Sequence, residues 1–176
     1  GRLNVTEGFP LAPGAVIGIL GGGQLGRMLA LAAGRLGFDV VILTPELDAP
    51  ASRVARETLI APFDDPDALG RLADLCDVIT YEFENVPAAA VARLKALGAP
   101  VAPNDRTLAV AQDRVAEKTF LNEAGVRTVA FLPVDSAQDA VAAATQLGAP
   151  ALMKSRRVGY DGKGQIGRAS CWVKGL

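Results

Sequence analysis

The feature that most constrains the fold is a repeated alternation of short apolar runs and helical patterns between residues 15 and 102. The apolar runs predict strands at 15–20, 40–43, 58–61, 77–81 and 100–102. Helical spacing predicts helices at 24–36, 67–75 and 87–97, the first with Leu25, Met28, Leu29 and Ala32 on one side. Apolar strands that are joined by helices are typical of a parallel sheet covered on both faces. We therefore predict an α/β fold with helices on both faces of a parallel sheet.

The alternation breaks near Pro103, Asn104 and Asp105, and we place a domain boundary there. Residues 1–13 carry no periodic pattern and are expected to be a loose leader, followed by a first domain at 14–103. Residues 104–176 are expected to begin a second domain that is incomplete in this chain. In it we predict one long helix at 106–124, a strand at 128–134, a helix at 137–147 and a strand at 151–154.

The composition excludes several functions. The 176 residues carry a net charge of −1, which argues against a general nucleic-acid-binding surface. No apolar run reaches the roughly 18 residues that a membrane span needs. There is no histidine, which excludes histidine-based catalysis and histidine metal sites. Cys76 and Cys171 lack metal-ligand spacing, and a reducing, cytoplasmic location is the simplest expectation.

A glycine-rich segment follows the first predicted strand. Residues 21–26 read Gly-Gly-Gly-Gln-Leu-Gly and match the G-x-G-x-x-G pattern between a strand and a helix. A dinucleotide site also needs an acidic residue after the second strand, where Leu43, Thr44 and Pro45 stand instead. We therefore favour another phosphate-bearing ligand, or a close contact between helix and strand, over a nicotinamide or flavin cofactor.

Polar residues follow the fourth predicted strand, in the segment Tyr-Glu-Phe-Glu-Asn-Val-Pro at 81–87. Ligands of open parallel sheets bind beyond the carboxyl ends of the strands, where this segment and the glycine-rich segment both emerge. Glu82 is the first polar side chain after the strand and the best candidate for a substrate contact. An equally acceptable interpretation is that one acid faces solvent and that Asn85 shapes the turn before the next helix.

A concentration of cations follows the last predicted strand. Residues 154–165 include Lys154, Arg156, Arg157 and Lys163, with three glycines among them. Glycines let backbone N–H groups approach a ligand, and the cations supply positive charge, so this segment is suited to bind phosphate. By contrast, the residues around Arg114 read by spacing alone as a solvated helix face, with Asp113 four residues from Glu117.

Four segments, in this order, resemble the 5-(carboxyamino)imidazole ribonucleotide synthases, a family of the ATP-grasp superfamily. They are residues 21–28, residues 81–87, residues 111–118 with Ala-Gln-Asp-Arg and Glu-Lys, and residues 159–165 with Gly-Tyr-Asp-Gly-Lys-Gly-Gln. That family uses ATP and magnesium to join bicarbonate to the amine of aminoimidazole ribonucleotide, through carboxyphosphate, in purine biosynthesis. The resemblance implies a Rossmann-like pre-ATP-grasp domain followed by the start of an ATP-grasp domain, and an ATP-dependent carbon–nitrogen ligase.

The resemblance also implies roles for individual residues. The expected ATP contacts are Arg114, Lys154, Gly159, Tyr160, Asp161, Gly162, Lys163, Gly164 and Gln165. Among these, Tyr160, Asp161 and Lys163 are the expected catalytic residues, which meet the ribonucleotide and bicarbonate. Gln24, Leu25 and Glu82 are expected to line the ribonucleotide pocket.

The family's chains are longer, and residues 168–176 do not resemble the family. We expect the adenine-binding segment and the acidic magnesium ligands to lie beyond this chain, and the chain alone to be inactive. Because the family commonly dimerises, a homodimer is one expected assembly. Two other functions stay open: an NAD(P)-dependent oxidoreductase domain, favoured by the glycine motif alone, and a non-catalytic nucleotide-binding module.

Overall fold

The computed structural model of the protein describes residues 10–148, 150–157 and 165–168. The chain divides into two compact units, Gly1–Leu108 and Ala109–Leu176. The described part of the first unit contains a sheet with flanking helices, and the described part of the second contains two helices and a pair of short strands. The two units are described separately below.

The sheet of the first unit has four parallel strands in the order β3-β2-β1-β4. The strands are β1 (Val16–Leu20), β2 (Asp39–Thr44), β3 (Glu57–Ile60) and β4 (Val78–Tyr81). In the ladders, Leu20 lies opposite both Leu43 and Tyr81. The carboxyl ends of β1, β2 and β4 therefore lie level, at one edge of the sheet. The predicted fold class, a parallel α/β sheet, is confirmed.

The α-helices of this unit are α1 (Gln24–Arg35), α2 (Pro66–Leu75) and α3 (Ala88–Ala96), and α4 (Asp105–Ala111) begins in it. Helix α2 begins where the sequence predicts, because Asp65 accepts a hydrogen bond from Ala68 N at 2.7 Å and Pro66 supplies a preset φ angle. Residues 100–102 form only an isolated parallel bridge between Val101 and Ile79, so the predicted fifth strand is reduced to one pair.

Helix α1 packs against the sheet through small residues. Gly26, Ala30 and Ala33 are its buried positions. Leu25 and Met28 belong to the larger apolar side chains of this helix, and both are exposed. Small side chains let the helix axis come close to the strands, which is why the buried face of α1 is not its most hydrophobic one.

The core of the first unit lies on both faces of the sheet, as expected for a parallel sheet. One cluster includes Leu20, Leu43, Leu72, Val91 and Leu108, and the other, under α1, includes Ile19, Ile42 and Ala51. Cys76 is a buried, free thiol in the first cluster. Its burial, with the nearby Asp77 and Glu57 charges, raises its pKa to about 12, so Cys76 acts as a core side chain.

The second unit contains α5 (Arg114–Glu123), α6 (Ala137–Leu147) and the antiparallel strands β5 (Leu152–Lys154) and β6 (Gln165–Arg168). Two expectations were wrong. The long helix predicted at 106–124 is split into α4 and α5, because Asp113 has an extended backbone and caps α5. The strand predicted at 128–134 does not form, since no described strand pairs with these residues.

Candidate functional site

The first candidate site lies where the chain changes direction across the sheet of the first unit. The chain runs from β1 through β2 to β3 on one side and returns to form β4 on the other side of β1. Ligands of open α/β sheets bind at such a switch point, beyond the carboxyl ends of the strands. The glycine-rich segment 21–26 follows β1, and Glu82 follows β4. The fold therefore brings together the two segments that the sequence singles out in this unit.

Glu82 joins these two segments. Its backbone N–H donates to the Leu20 carbonyl at 3.1 Å, which extends the β1–β4 ladder by one bond. Its carboxylate accepts hydrogen bonds from Gly23 N at 3.0 Å and from Gly26 N. Both N–H groups belong to the start of α1, where backbone donors have no partner within the helix. Glu82 thus caps α1 from a different strand, because the N-cap residue Gly23 has no side chain to do so.

The glycines are needed because this carboxylate lies so close. A Cβ atom on Gly23 would lie 2.9 Å from Glu82 Oε1, and one on Gly26 would lie 2.7 Å from the Gly21 carbonyl oxygen. Gly21 has a φ of +117°, a left-handed conformation that favours glycine. The glycines of the motif therefore allow a close contact between this loop and Glu82. The sequence left a close contact between helix and strand open and did not indicate Glu82 as the partner of the loop.

The position of the Glu82 carboxylate argues against a dinucleotide at this loop. The N-terminus of a helix attracts anions, and a dinucleotide would place its pyrophosphate there. In this protein the Glu82 carboxylate already occupies that position. A second anion beside it would be repelled at close range. At the end of β2 stands Thr44, which is buried and accepts from Glu46 N at 3.3 Å, so the ribose-binding acid is absent there as well.

Gln24 and Leu25, the other two predicted substrate contacts, lie in the first turn of α1 beside this loop. Both are exposed, Leu25 with 56% of its surface accessible. Neither residue belongs to the core, and their role stays a prediction. In the segment after Glu82, Phe83 packs against Phe63 with ring centroids 5.7 Å apart, and Val86 is fully buried.

Tyr81 precedes Glu82 and has an unusual environment. Its hydroxyl is the one buried side-chain oxygen or nitrogen that has no hydrogen-bond partner among the described residues. Burial, with a smaller contribution from the Asp105 charge, raises the pKa of Tyr81. The hydroxyl therefore stays protonated at neutral pH and is a neutral donor.

The second candidate site lies in the second unit, where α5 begins. Asp113 is buried, with 6% of its surface accessible, and its carboxylate accepts from Val115 N at 2.9 Å and Ala116 N at 3.1 Å. Arg156 Nε donates to both of its oxygens, at 3.0 and 2.8 Å. The exposed Arg157 lies 3.9 Å from the same carboxylate. Sequence reasoning missed this role of Asp113, although an aspartate just before a helix is an N-cap signal.

The two cations that the resemblance assigns to ATP phosphates belong to this unit. Arg114 is the first residue of α5, and its Nη1 donates to the Ser155 carbonyl at 2.7 Å. Its backbone N–H donates to the Arg156 carbonyl at 3.0 Å. Lys154 ends β5 immediately before Ser155 and Arg156, and its side chain is exposed. The structure therefore brings the start of α5 to the end of β5, which the spacing of the sequence did not indicate.

Some predicted site residues lie outside the described part of the chain. Gly159, Tyr160, Asp161, Gly162, Lys163 and Gly164 are not described. Gln165 is the first residue of β6, where it pairs with Lys154 across the ladder. Within the described ranges, no group of three or more acidic or cysteine side chains could hold a metal ion, and no helix is long and apolar enough to span a bilayer.

Comparison with known families agrees with this architecture. Residues 15–112 match the ribonucleotide synthetase preATP-grasp domain, and residues 119–169 match the ATP-grasp domain. The first match covers more than half of the chain. The chain therefore belongs to the ribonucleotide synthetase preATP-grasp family, and the resemblance carried by the four sequence segments is confirmed.

Two individual relatives are similar to this chain over most of its length. The chain is 51% identical over 160 residues to the N5-carboxyaminoimidazole ribonucleotide synthase of Brucella melitensis, covering 91% of this chain and 44% of that protein. A crystal structure of the Staphylococcus aureus N5-carboxyaminoimidazole synthetase with ADP matches with a TM-score of 0.83 and 44% identity, over 88% of this chain and 41% of that one.

A third match is a structure with two bound ligands. The Aspergillus clavatus N5-carboxyaminoimidazole synthase, in complex with ADP and 5-aminoimidazole ribonucleotide, matches with a TM-score of 0.72 and 29% identity. That match covers 82% of this chain and 39% of the Aspergillus chain. The chain thus spans less than half the length of each of these relatives.

Proposed function

We propose that this chain forms part of an ATP-dependent carbon–nitrogen ligase that carboxylates 5-aminoimidazole ribonucleotide to N5-carboxyaminoimidazole ribonucleotide. The observation that carries the proposal is the 51% identity to such a synthase, continuous over 160 residues. In the proposed reaction, a bicarbonate oxygen attacks the γ-phosphorus of ATP and releases ADP. The amine of the ribonucleotide then attacks the carbonyl carbon of carboxyphosphate, which forms the new N–C bond and releases phosphate.

In the first unit, we propose that the ribonucleotide binds at the switch point beside Gln24, Leu25 and Glu82. Because Glu82 fills the anion position of the glycine-rich loop, the loop is not suited to a phosphate group. We therefore propose that the phosphate of the ribonucleotide does not bind at this loop, in contrast to the expectation from the sequence. Hydroxyl or amine groups of the substrate, which can donate to the Glu82 carboxylate, fit this position better.

In the second unit, we propose that Arg114 and Lys154 bind ATP phosphates, with Gly159, Gly162, Gly164 and Gln165 contributing contacts. Two cations near transferring phosphate offset the negative charge that accumulates there. Tyr160, Asp161 and Lys163 stay the proposed catalytic residues.

Several finer points belong to the same proposal. Bicarbonate is the proposed carbon donor, a homodimer the proposed assembly, and the cytoplasm the proposed location. Magnesium is proposed as a companion of ATP, and the described residues hold no acidic cluster that fits it. We also propose that the boundary between the pre-ATP-grasp domain and the ATP-grasp domain lies near residue 104.

The proposal is tested with a chimera of two proteins. Residues 1–168 of this chain are followed by the C-terminal part of the Brucella melitensis relative that this chain does not match. Phosphate release is measured with ATP, aminoimidazole ribonucleotide and bicarbonate, and with each omitted in turn. We expect release that requires all three. A second variant of the chimera replaces Lys154 by Ala. This change should raise the KM for ATP because a phosphate contact is lost.

An inactive chimera that folds, or one whose phosphate release does not depend on the ribonucleotide, would contradict the proposal. Binding of NADH by the same protein, with no binding of ATP, would favour the oxidoreductase alternative.

A further inference from the structure

We propose that Asp113 is a positioning residue that holds Arg114 against Ser155 and Arg156, and so fixes Arg114 relative to Lys154. Asp113 itself touches neither of these two cations through its side chain in the described contacts. Its effect passes through Arg156 and the backbone. The consequence for ATP rests on the proposed function, since only there are Arg114 and Lys154 phosphate contacts.

The first step of the argument is that Asp113 has two separate tasks. One carboxylate oxygen, Oδ1, accepts from Val115 N and Ala116 N and caps α5. Both oxygens also accept from Arg156 Nε, at 3.0 and 2.8 Å. A helix cap needs only one oxygen, and a neutral serine or asparagine does it equally well. A buried, charged carboxylate is therefore more than the cap requires, and Arg156 is the partner that needs the charge.

The second step is that this pair joins segments far apart in the chain. Asp113 and Arg156 are separated by 43 residues. Beside the pair, Arg114 N donates to the Arg156 carbonyl at 3.0 Å, and Arg114 Nη1 donates to the Ser155 carbonyl at 2.7 Å. The start of α5 and the end of β5 are thus tied by one ion pair and two hydrogen bonds. Among these, only the ion pair joins two charged groups, of which Asp113 is buried, and hydrogen bonds between charged groups are the stronger class.

The third step is electrostatic. Burial alone raises the pKa of Asp113, but the hydrogen bonds from Arg156, Ala116 and Val115 outweigh burial and lower it. The same contact raises the pKa of Arg156. Both groups are charged at neutral pH, and removing one charge leaves the other without its partner in a partly buried place.

The decisive variant is Asp113→Asn in the 176-residue chain. Asparagine keeps an oxygen for the cap, but its amide group presents N–H donors where Arg156 needs an acceptor. We expect amide hydrogen exchange of Arg114 to become about tenfold faster, because its bond to the Arg156 carbonyl opens more often. Exchange of Val115 and Ala116 should change less than about threefold, since the cap is kept. Arg156→Gln should reproduce this pattern.

A matched control is Asp105→Asn, which removes the same charge from an exposed pair with Lys95 at 2.6 Å. It should leave the exchange of Arg114 unchanged. In the chimera with the Brucella remainder, Asp113→Asn should weaken ATP binding about tenfold by calorimetry, and Asp105→Asn should not. The double variant that combines Asp113→Asn with Arg156→Gln should bind ATP no more weakly than Asp113→Asn alone.

Unchanged exchange of Arg114 in Asp113→Asn, or equal acceleration at Arg114, Val115 and Ala116, would overturn the proposal and leave Asp113 a helix cap only. Faster exchange at Arg114 with unchanged ATP binding would overturn the link to Lys154. A wild-type chimera that binds ATP but has no ligase activity would instead contradict the proposed function, and leaves both readouts of Asp113 intact.

Discussion

The carboxylate of Glu82 lies 3.0 Å from the backbone nitrogen of Gly23, a residue that precedes it by 59 positions. This contact joins the loop after β1 to the end of β4, at the switch point of the sheet. A glycine-rich loop that opens a helix commonly receives a ligand phosphate. Here the protein supplies the anion itself, because the Glu82 carboxylate takes the position that a ligand phosphate would otherwise occupy.

The first prediction concerns this contact. Glu82→Gln keeps one acceptor oxygen but places an N–H donor against one of the two N–H groups at Gly23 and Gly26. We expect the unfolding free energy of the first unit to fall by about 1–3 kcal/mol. The measurement is urea unfolding followed through the amide signals of β1 and β2. Glu46→Gln, which changes an exposed acid, should leave the midpoint unchanged; equal midpoints for both variants would contradict the capping role.

A second prediction compares two glycines of α1. At Gly26 a Cβ atom would lie 2.7 Å from the Gly21 carbonyl oxygen, whereas at Gly34 it would meet open space. Gly26→Ala should destabilise the first unit by about 1–3 kcal/mol through overpacking. Gly34→Ala should stabilise it by about 0.5–1 kcal/mol, since alanine is the better helix former. Thermal unfolding of the two variants checks this, and a shift of the same sign in both would refute the close packing of the loop.

The third prediction concerns Leu108, which is 1% exposed and packs in the core of the first unit. Leu108→Ala should reduce the stability of that unit by about 2–5 kcal/mol, because it leaves a cavity. Leu47→Ala, at a position that is 83% exposed, should change it by less than about 0.5 kcal/mol. Urea unfolding of both variants is the measurement. A small effect of Leu108→Ala would show that α4 is not needed by the first unit.

A fourth prediction follows from the lowered pKa of Asp113. A carboxyl group whose pKa is lower in the folded state stabilises that state above its unfolded pKa of about 3.9, and this contribution is lost as the pH falls through the folded pKa. A carbon-13 NMR titration of the Asp113 carboxyl should therefore give a midpoint below about 3.9. Arg156→Gln should raise that midpoint.

Arg157 provides the control for this titration, because it lies 3.9 Å from the same carboxylate and is mostly exposed. Arg157→Gln should shift the midpoint less than Arg156→Gln does. If the two variants behave alike, the close hydrogen bonds of Arg156 are not the cause of the lowered pKa.

The sequence predicted the first unit well, since its apolar runs and helix signals are local. Asp65 and Pro66 mark the start of α2 in the sequence, and α2 begins there. The partner of the glycine-rich loop was harder to predict. A helix cap supplied by Glu82 depends on β4 lying next to β1, which is a property of the tertiary fold and not of any local pattern.

The second unit was predicted less well, for two physical reasons. The run around Asp113 has no glycine or proline, so nothing in its composition separates α4 from α5; the break comes from an extended Asp113 that caps α5 and pairs with Arg156. Residues 128–134 are rich in β-forming side chains, but a strand needs a neighbour to pair with. No such neighbour lies among the described strands.

We propose that the switch-point site binds the ribonucleotide and not a dinucleotide. The most direct measurement is a titration of the chain with 5-aminoimidazole ribonucleotide and, separately, with NADH, followed by the backbone amide signals of Gln24 and Glu82. We predict that the ribonucleotide shifts both signals in a saturable way and that NADH shifts neither. Micromolar binding of NADH that moves these signals, with no response to the ribonucleotide, would contradict the claim.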